Sequence, residues 1–578
     1  MTDPTATAEP SLKRAHHDDD HQSPVPSSSH LEAASSSANM LSSEKGAQKR
    51  PRLPISTQVT KSDLPSPDAN EVTILPGLVL PLNEEVLRTF FQYSHDRHDV
   101  FLKRKQGKPQ EEWTDDPVFK STKFANVYRV LDRLTQYVLT RVVQDGPQQL
   151  EEVCFRVLLF RSFARISTYE VIRTALGGPP TLASFSPTAY ENFLMPHISA
   201  GNPVYGSSYF IPAPREFRTK YPYQSTLRLV HLMMRTGLPR RLADLHHMRD
   251  AHALLTSFPS LGPFLAMQLL LDLNLSDHFD FSEEEFAACG PGSKQCLVDI
   301  FGKYVSGFEL EAMRWIQKEQ EHYWGKYGIT DVPHLCPARK PGLNVVDIEH
   351  TLCEVFKYRR ARGRMEAPAR NVRGSKRGRR GRGAARATPA AASPARGIKQ
   401  EDEDGLDGLD FERIRSNGSK TSGQEKVKSF VPTGNAVTGE LPAKWLVPRA
   451  PEEYERPPPL DRSEDVYEVS HIVAMTPTQS KCLVRWKGFG PDDDTWEYFD
   501  ELLNGGAKEA VEEYLKWLRT VKDEIEAMLD EEKSNREALE KMPAVNMVSS
   551  VIKASPEPHG LGTRPALPFA NMPLALPF

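Results

Sequence analysis

Apolar residues recur along this chain in two different rhythms, separated by stretches that have neither. Over residues 76–361 the steps are three and four. Phe124, Val127, Leu131, Leu134, Val138 and Val142 form one stripe, and Phe155, Leu158, Leu159, Phe163 and Ile166 form another. Leu227, Val230, Leu232 and Met233 continue the texture. That period predicts amphipathic helices, so the region reads as one all-helical domain. Over residues 466–518 the step changes to two. Tyr467-Glu468-Val469 and Cys482-Leu483-Val484-Arg485-Trp486 alternate as strands do, Lys487-Gly488-Phe489 turns the chain, and Asp494-Thr495-Trp496-Glu497 leads into a third extended piece. Ala510, Val511, Tyr514, Leu515 and Leu518 then share a helical face. Three short strands closed by a C-terminal helix are predicted, with Trp496 in their core.

Between and around these regions the chain is Ser, Pro, Ala, Gly and charge. Residues 1–75, 362–460 and 542–578 bury too little apolar surface to offset their chain entropy and are predicted to be disordered. Residues 521–541 read as a helical extension of a module at 461–520. Composition agrees: 39% of the chain is hydrophobic, with 47 prolines in 578 residues, below the apolar share and above the proline share of globular chains. The expected architecture is mainly α, a glycosylase-like helical domain plus a small three-stranded module, joined and flanked by disordered segments.

The net charge of −4 conceals opposite blocks. Residues 357–386 carry 13 Lys and Arg against one acid, a net +12. Within them, Arg377-Gly378-Arg379-Arg380-Gly381-Arg382-Gly383 loosely resembles an AT-hook without its flanking prolines. Arg377, Arg379, Arg380 and Arg382 are candidate contacts to duplex DNA, through phosphates or a minor groove; a solubilising linker or a second import signal is the other reading. Lys49-Arg50-Pro51-Arg52-Leu53-Pro54 is a basic cluster of the nuclear-import type, so a nuclear location is expected. Ile398-Lys399-Gln400-Glu401, followed by acids, has the shape of a SUMO acceptor centred on Lys399. No apolar run reaches the ~18 residues of a membrane span, and residues 1–20 lack the apolar core of a secretory signal. Six scattered cysteines indicate no disulfide framework and a reducing compartment.

The C-terminal residues resemble a chromodomain closely. The Tyr-x-Val opening at Tyr467, the Val-x-Trp-Lys-Gly-aromatic run at 484–489 and the Thr-Trp-Glu at 495–497 occur in the family's order. The resemblance implies an aromatic cage for a methylated lysine of a histone tail, made by Tyr467, Trp486 and Phe489 with Asp493 beside it; aromatic faces attract a weakly hydrated quaternary ammonium.

In the central region, Phe258-Pro259-Ser260-Leu261-Gly262 ahead of an apolar helix resembles a helix-hairpin-helix turn, with Ser260 where that family has its first glycine. Ser260 and Gly262 are thereby candidate phosphate contacts, as are Gly292 and Lys294 in Cys289-Gly290-Pro291-Gly292-Ser293-Lys294 at the start of another helix. Three further stretches go together: Trp113-Thr114-Asp115-Asp116-Pro117 with Lys123 to Arg129 and Asp132-Arg133; Phe286 to Ser293; and Asp347 to Glu354, ending Lys357-Tyr358. They resemble the helical domain associated with 5-hydroxymethyldeoxyuridine DNA kinases, akin to the α-glutamyl/putrescinyl thymine pyrophosphorylases. The resemblance implies hypermodified thymine in DNA and a descent from helix-hairpin-helix glycosylases. The chain has no P-loop, so it is not expected to be an ATP-dependent kinase by itself.

A glycosylase-like site needs a carboxylate about twenty residues beyond the hairpin. Glu283, Glu284 and Glu285 fall there, and Glu285 is the choice. Asp347, His350 and Glu354 share a helical face that Arg129 and Asp132 can join. His334, Cys336, His350 and Cys353 lack a common zinc spacing, and Cys289 and Cys296 lack the other two ligands of an iron–sulfur loop. No metal or other cofactor is expected. The leading reading is a nuclear chromatin protein with duplex DNA and a methylated histone tail as partners, and with a modified pyrimidine as the target if the domain is an enzyme. The alternatives are a non-catalytic adaptor and a domesticated mobile-element targeting protein.

Overall fold

The computed structural model describes residues 11–13, 70–207, 209–366, 439–459 and 466–541. The basic cluster at 49–54, the arginines Arg377, Arg379, Arg380 and Arg382, and Lys399 lie outside the described residues. Two compact units divide the chain, Met1–Glu526 and Ala527–Phe578; the second contributes, among the described residues, only the last turns of one helix.

The first strand, β1 (Ser11–Lys13), belongs to a sheet completed late in the chain. The helical domain begins earlier than residue 76, with an antiparallel hairpin of β2 (Glu71–Leu75) and β3 (Leu78–Pro81). Pro76-Gly77 makes the turn: proline presets φ at its first central position, and Gly77 takes φ +83° at the second. Asn83 then caps α1 (Glu84–Lys105), whose acidic first turn and basic last turn suit the helix dipole. The predicted helix over 124–142 is broken. Residues 124–128 are irregular because their polar backbone is bound by side chains from elsewhere. After α2 (Pro117–Ser121), helix resumes with α3 (Arg133–Tyr137) and a π-helical turn at Val138–Val143.

Next come α4 (Leu150–Phe163), α5 (Ile166–Leu176), α6 (Pro187–Ser199), α7 (Pro222–Arg235), α8 (Leu238–Ala243) and α9 (Met248–Thr256). The domain closes with α10 (Pro263–Leu273), α11 (Pro291–Phe301), α12 (Glu309–Lys326) and α13 (Val345–Glu366). Every residue from Val153 to Phe163 on α4 and from Ala266 to Leu273 on α10 is buried. A helix apolar all round belongs in the middle, and these two pack against each other there.

The C-terminal sheet has the order β1-β4-β5-β6, all antiparallel, with β4 (Val466–Met475), β5 (Lys481–Trp486) and β6 (Thr495–Tyr498). It is followed by α14 (Phe499–Asn504) and α15 (Lys508–Lys541). Its core is Ile472, Cys482, Val484, Trp486, Leu502, Ala507 and Val511. The expected boundary at 520 falls inside α15, which has no Gly or Pro to stop it. The expected linker over 362–460 is also corrected. α13 runs on to Glu366, residues 440–445 are bound to the helical domain, and residues 454–457 lie against the C-terminal module, as described below. No helix among the described residues is long and apolar enough to cross a membrane.

Candidate functional site

Helix α13 gathers the three motif stretches of the central domain. Its Glu354 accepts the Ala125 N–H (2.9 Å), its Thr351 donates to the Val127 carbonyl (3.4 Å), and its Tyr358 donates to Asp116 (2.5 Å). His350 Nε2 lies 3.2 Å from Asp132 Oδ2, while Asp132 Oδ1 accepts the Asn126 N–H. Burial pulls the His350 pKa down, but the bond to Asp132 and the charges of Asp132, Glu354 and Glu349 leave it raised. On the other flank, Glu349 accepts from the Gly290 N–H and the Ser293 hydroxyl, both 2.8 Å. His350 and Glu354 thus hold the 113–133 stretch in place.

Asp347, one turn earlier, faces a different space. It lines a cavity of about 10 Å³ with Glu283, Arg129, Arg339, Val346 and Trp445, about the room one water needs. Of the three consecutive glutamates, Glu283 is the one in this cavity. It is 9% exposed and accepts from Asn344, the residue that caps α13. Glu285 points elsewhere: His247 Nδ1 sits 3.0 Å from its Oε1, and its carbonyl accepts from Arg314. The structure thus places Glu285 apart from Asp347, because a tight turn sends neighbouring side chains to different faces.

Burial, and then the charge of Glu283, raise the Asp347 pKa to about 7, against opposing contributions from Arg339 and His350. The folded protein keeps this proton to near neutrality, whereas the unfolded chain releases it near 3.8. Stability is thus fully present below about pH 4 and is lost as pH rises through about 7. Asp347→Asn removes that loss. Melting curves from pH 4 to 8 should be flatter for the variant, which should be more stable than the parent at pH 8 by at least about 1 kcal/mol. Parallel curves for the two proteins would contradict the assignment.

Beneath the cavity lies an ion cluster that sequence reading missed. Asp272 of α10, with a side chain 0% exposed, receives Arg129 at 2.8 Å and Arg161 of α4 at 2.6 Å. Arg129 also donates to Gln268. The available signal was one acid within the apolar run Leu269-Leu270-Leu271-Asp272-Leu273.

The hairpin turn joins α9 to α10, with Ser260 at φ +64°. A left-handed conformation strains any residue with a Cβ, which is why a glycine suits this position. Gly262 is exposed at the start of α10. Trp517 of α15 covers the turn's other side, donating to Ser257 (3.0 Å) and meeting the Phe258 ring. The α11 start is different from expectation. Its anion-receiving end is filled by the Glu349 carboxylate, and Gly292 is there for close packing, since a Cβ would come within 2.7 Å of Cys353 Sγ. Lys294 pairs with Glu309 at 3.3 Å. Among the described residues, the grouping able to hold a metal ion is His247, Glu285 and Glu452. His334 and Cys336 instead contact the Arg339 and Trp445 carbonyls, and all six cysteines are free.

In the C-terminal module, the Tyr467 ring meets Phe489 edge-on at 5.5 Å and Trp486 at 6.3 Å. Trp486 is 1% exposed, with its indole N–H on Thr495. Trp496 is 47% exposed. The expected core role of Trp496 is thus corrected: the pleat of β6 turns Glu497 inward and Trp496 outward. Residues 454–457 cross the turn after β5. Tyr454 and Pro457 press on Gly490 and Gly488, Arg456 N–H donates to the Gly488 carbonyl, and Arg456 lies 3.5 Å from Asp493. β1 pairs with β4 in the register Leu12↔Tyr467. The module is held to the helical domain by Trp517, by Arg249 and Arg314 on Pro491 and Asp492, and most deeply by Arg485 of β5, which grips Asp250 of α9 with two bonds (3.0 and 2.9 Å) and Asp494 with two more.

Residues 84–367, from α1 to the end of α13, match the family described as "5-hmdU DNA kinase, helical domain". Over 283 residues the chain is 24% identical to the 5-hmdU DNA kinase of Bacillus phage SP10, covering 46% of this chain and 43% of that protein. The match thus spans less than half of the curated relative. No solved structure matches. The helical domain of this chain is therefore related to that of 5-hmdU DNA kinase, as fits a DNA-modification-related protein.

Proposed function

We propose that this is a nuclear chromatin protein whose helical domain receives a modified pyrimidine, 5-hydroxymethyluracil or a derivative, turned out of duplex DNA. The observation that carries the reading is the Asp347/Glu283 pair, buried at the start of α13 around a cavity that Arg129 also lines. A carboxylic acid that keeps its proton near neutrality can donate a hydrogen bond to a base edge, and a neighbouring carboxylate can accept one. Duplex DNA is gripped at the hairpin by Ser260 and Gly262, and in the basic tail by Arg377, Arg379, Arg380 and Arg382, so binding falls steeply with salt. Mass spectrometry of nucleosides, from cells carrying the wild-type or the Asp347→Ala chain, should show a difference in a modified pyrimidine. Identical profiles would leave an adaptor that grips DNA without chemistry. That second reading is favoured by the small volume of the cavity.

The C-terminal module acts, in this proposal, as a chromodomain. Tyr467 and Phe489 form the accessible corner of its cage, and an extended peptide would pair with the edge of β4 that Ser11–Lys13 occupies, displacing β1. Through the β1 pairing at Tyr467 this edge already takes an added strand, which a peptide would have to replace. SUMO conjugation at Lys399 would add a further chromatin partner. A trimethyllysine histone-tail peptide should bind the full chain about thirtyfold tighter than its unmethylated form, the size of a desolvated cation–π contact of roughly 2 kcal/mol. Tyr467→Ala should erase the difference. Equal affinities for the two peptides with the parent protein would remove the cage from the account. Trp486 is unsuited to this test because its truncation empties the core.

A further inference from the structure

The cavity at Asp347 is closed by residues that come from outside the matched region 84–367. Residues 439–446 cross the helical domain with a short turn at Ala443–Leu446 and insert Trp445, which is 8% exposed, as part of the cavity wall. The Arg339 guanidinium stacks on the indole, 4.4 Å from its centroid. Pro442 is also buried, and the rest of the attachment is polar. Gln136 and Glu440 exchange two bonds of 2.9 Å, Lys444 donates to the Ser276 and Phe279 carbonyls, and Cys336 Sγ reaches the Trp445 carbonyl at 3.5 Å. The next residues, Leu446 and Val447, are 56% and 66% exposed. Water replaces such polar bonds at small net cost, so the segment depends chiefly on its buried apolar anchors, of which the indole is the largest.

The slot filled by that anchor has the features of a nucleobase site. It accepts a flat heteroaromatic ring, lays a guanidinium on its face as single-strand binders do with bases, and sets Asp347, Glu283 and Arg129 along the same wall. An indole is at least as large as a pyrimidine ring. We propose that Trp445 holds the place of an extrahelical pyrimidine base, and that residues 439–446 are a strap displaced when duplex DNA delivers that base. The inference rests on the base-directed reading of the domain and gives the small cavity a cause: the site is occupied by the chain itself.

The test is hydrogen–deuterium exchange of the full chain, with and without a duplex carrying one 5-hydroxymethyluracil. Exchange at residues 440–446 should rise when that duplex is bound; unchanged or slowed exchange there overturns the strap. In parallel, fluorescence anisotropy should show Trp445→Ala binding that duplex at least about tenfold tighter than the parent, because a self-occupied site reduces apparent affinity by its open fraction. Should circular dichroism show Trp445→Ala to be misfolded, Lys444→Ala loosens the strap without touching the indole and should gain about threefold on the same ground. A parent protein that prefers the modified base, with folded strap variants that bind no tighter, overturns the strap alone. No preference in any of these proteins overturns the base-directed reading beneath it.

Discussion

Arg485→Ala should weaken the hold of the helical domain on the C-terminal module at a cost of about 3–5 kcal/mol, the range for breaking a buried ion pair on one side. Arg485 is 3% exposed and makes two bonds each to Asp250 and Asp494, whose side chains are 6% and 0% exposed. Removing it leaves two buried carboxylates facing each other, with Arg249 3.5 Å from Asp494 and His471 3.5 Å from Asp250 as partial compensation. Burial already raises the Asp494 pKa in the intact protein despite Arg485 beside it, so loss of the arginine should make it take up a proton more readily. The defect should accordingly shrink as pH falls. Thermal unfolding should change from one transition to two, and limited proteolysis should separate the module from the helical domain. A single transition at the parent's midpoint would show that the Asp250–Arg485 contact does not hold the module.

Asp272→Ala should destabilise the helical domain by a similar amount, about 3–5 kcal/mol. Its carboxylate is the meeting point of Arg129 and Arg161, and Arg161 is 2% exposed. Burial lowers the Arg161 pKa against the pull of Asp272. Deleting the acid leaves two cations in the apolar core between α4 and α10. Asp272→Asn keeps the volume but not the charge, and should recover only a small part of the loss. Denaturant midpoints of the two variants settle this. A loss below about 1 kcal/mol, the value of an exposed pair, would mean that water reaches the cluster.

Much of the architecture was legible because it rests on local periodicity. The apolar runs that became α4 and α7, the two-step alternation of β4 and β5, and the turn at Ser260 all declare themselves within a few residues. What escaped depends on contacts between residues distant in sequence. Nothing local in Lys123 to Asp132 shows that its backbone will bond to Glu354, Thr351 and an aspartate at its own end, so a helix was expected there. Glu283 and Glu285 are equivalent in composition, and only the path of the turn before α11 sends the first toward Asp347 and the second toward His247. Trp486 and Trp496 both sit in strand segments, and the pleat together with the position of α15 determines which is buried. Residues 439–446 have the composition of a linker, and their order comes from fitting one tryptophan to a site built by another part of the chain.

The central claim is that the Asp347 cavity serves a modified pyrimidine in DNA. Its most direct measurement is an anisotropy titration of the full chain with two duplexes of identical sequence, one bearing a single 5-hydroxymethyluracil and the other thymine in its place. The account predicts tighter binding to the modified duplex by about tenfold, the worth of a well-made base contact. Asp347→Ala, which removes both the donor and the acceptor, should abolish that preference while affinity for the thymine duplex stays unchanged. Equal affinity for the two duplexes in the parent protein, or a preference that survives in Asp347→Ala, would contradict it.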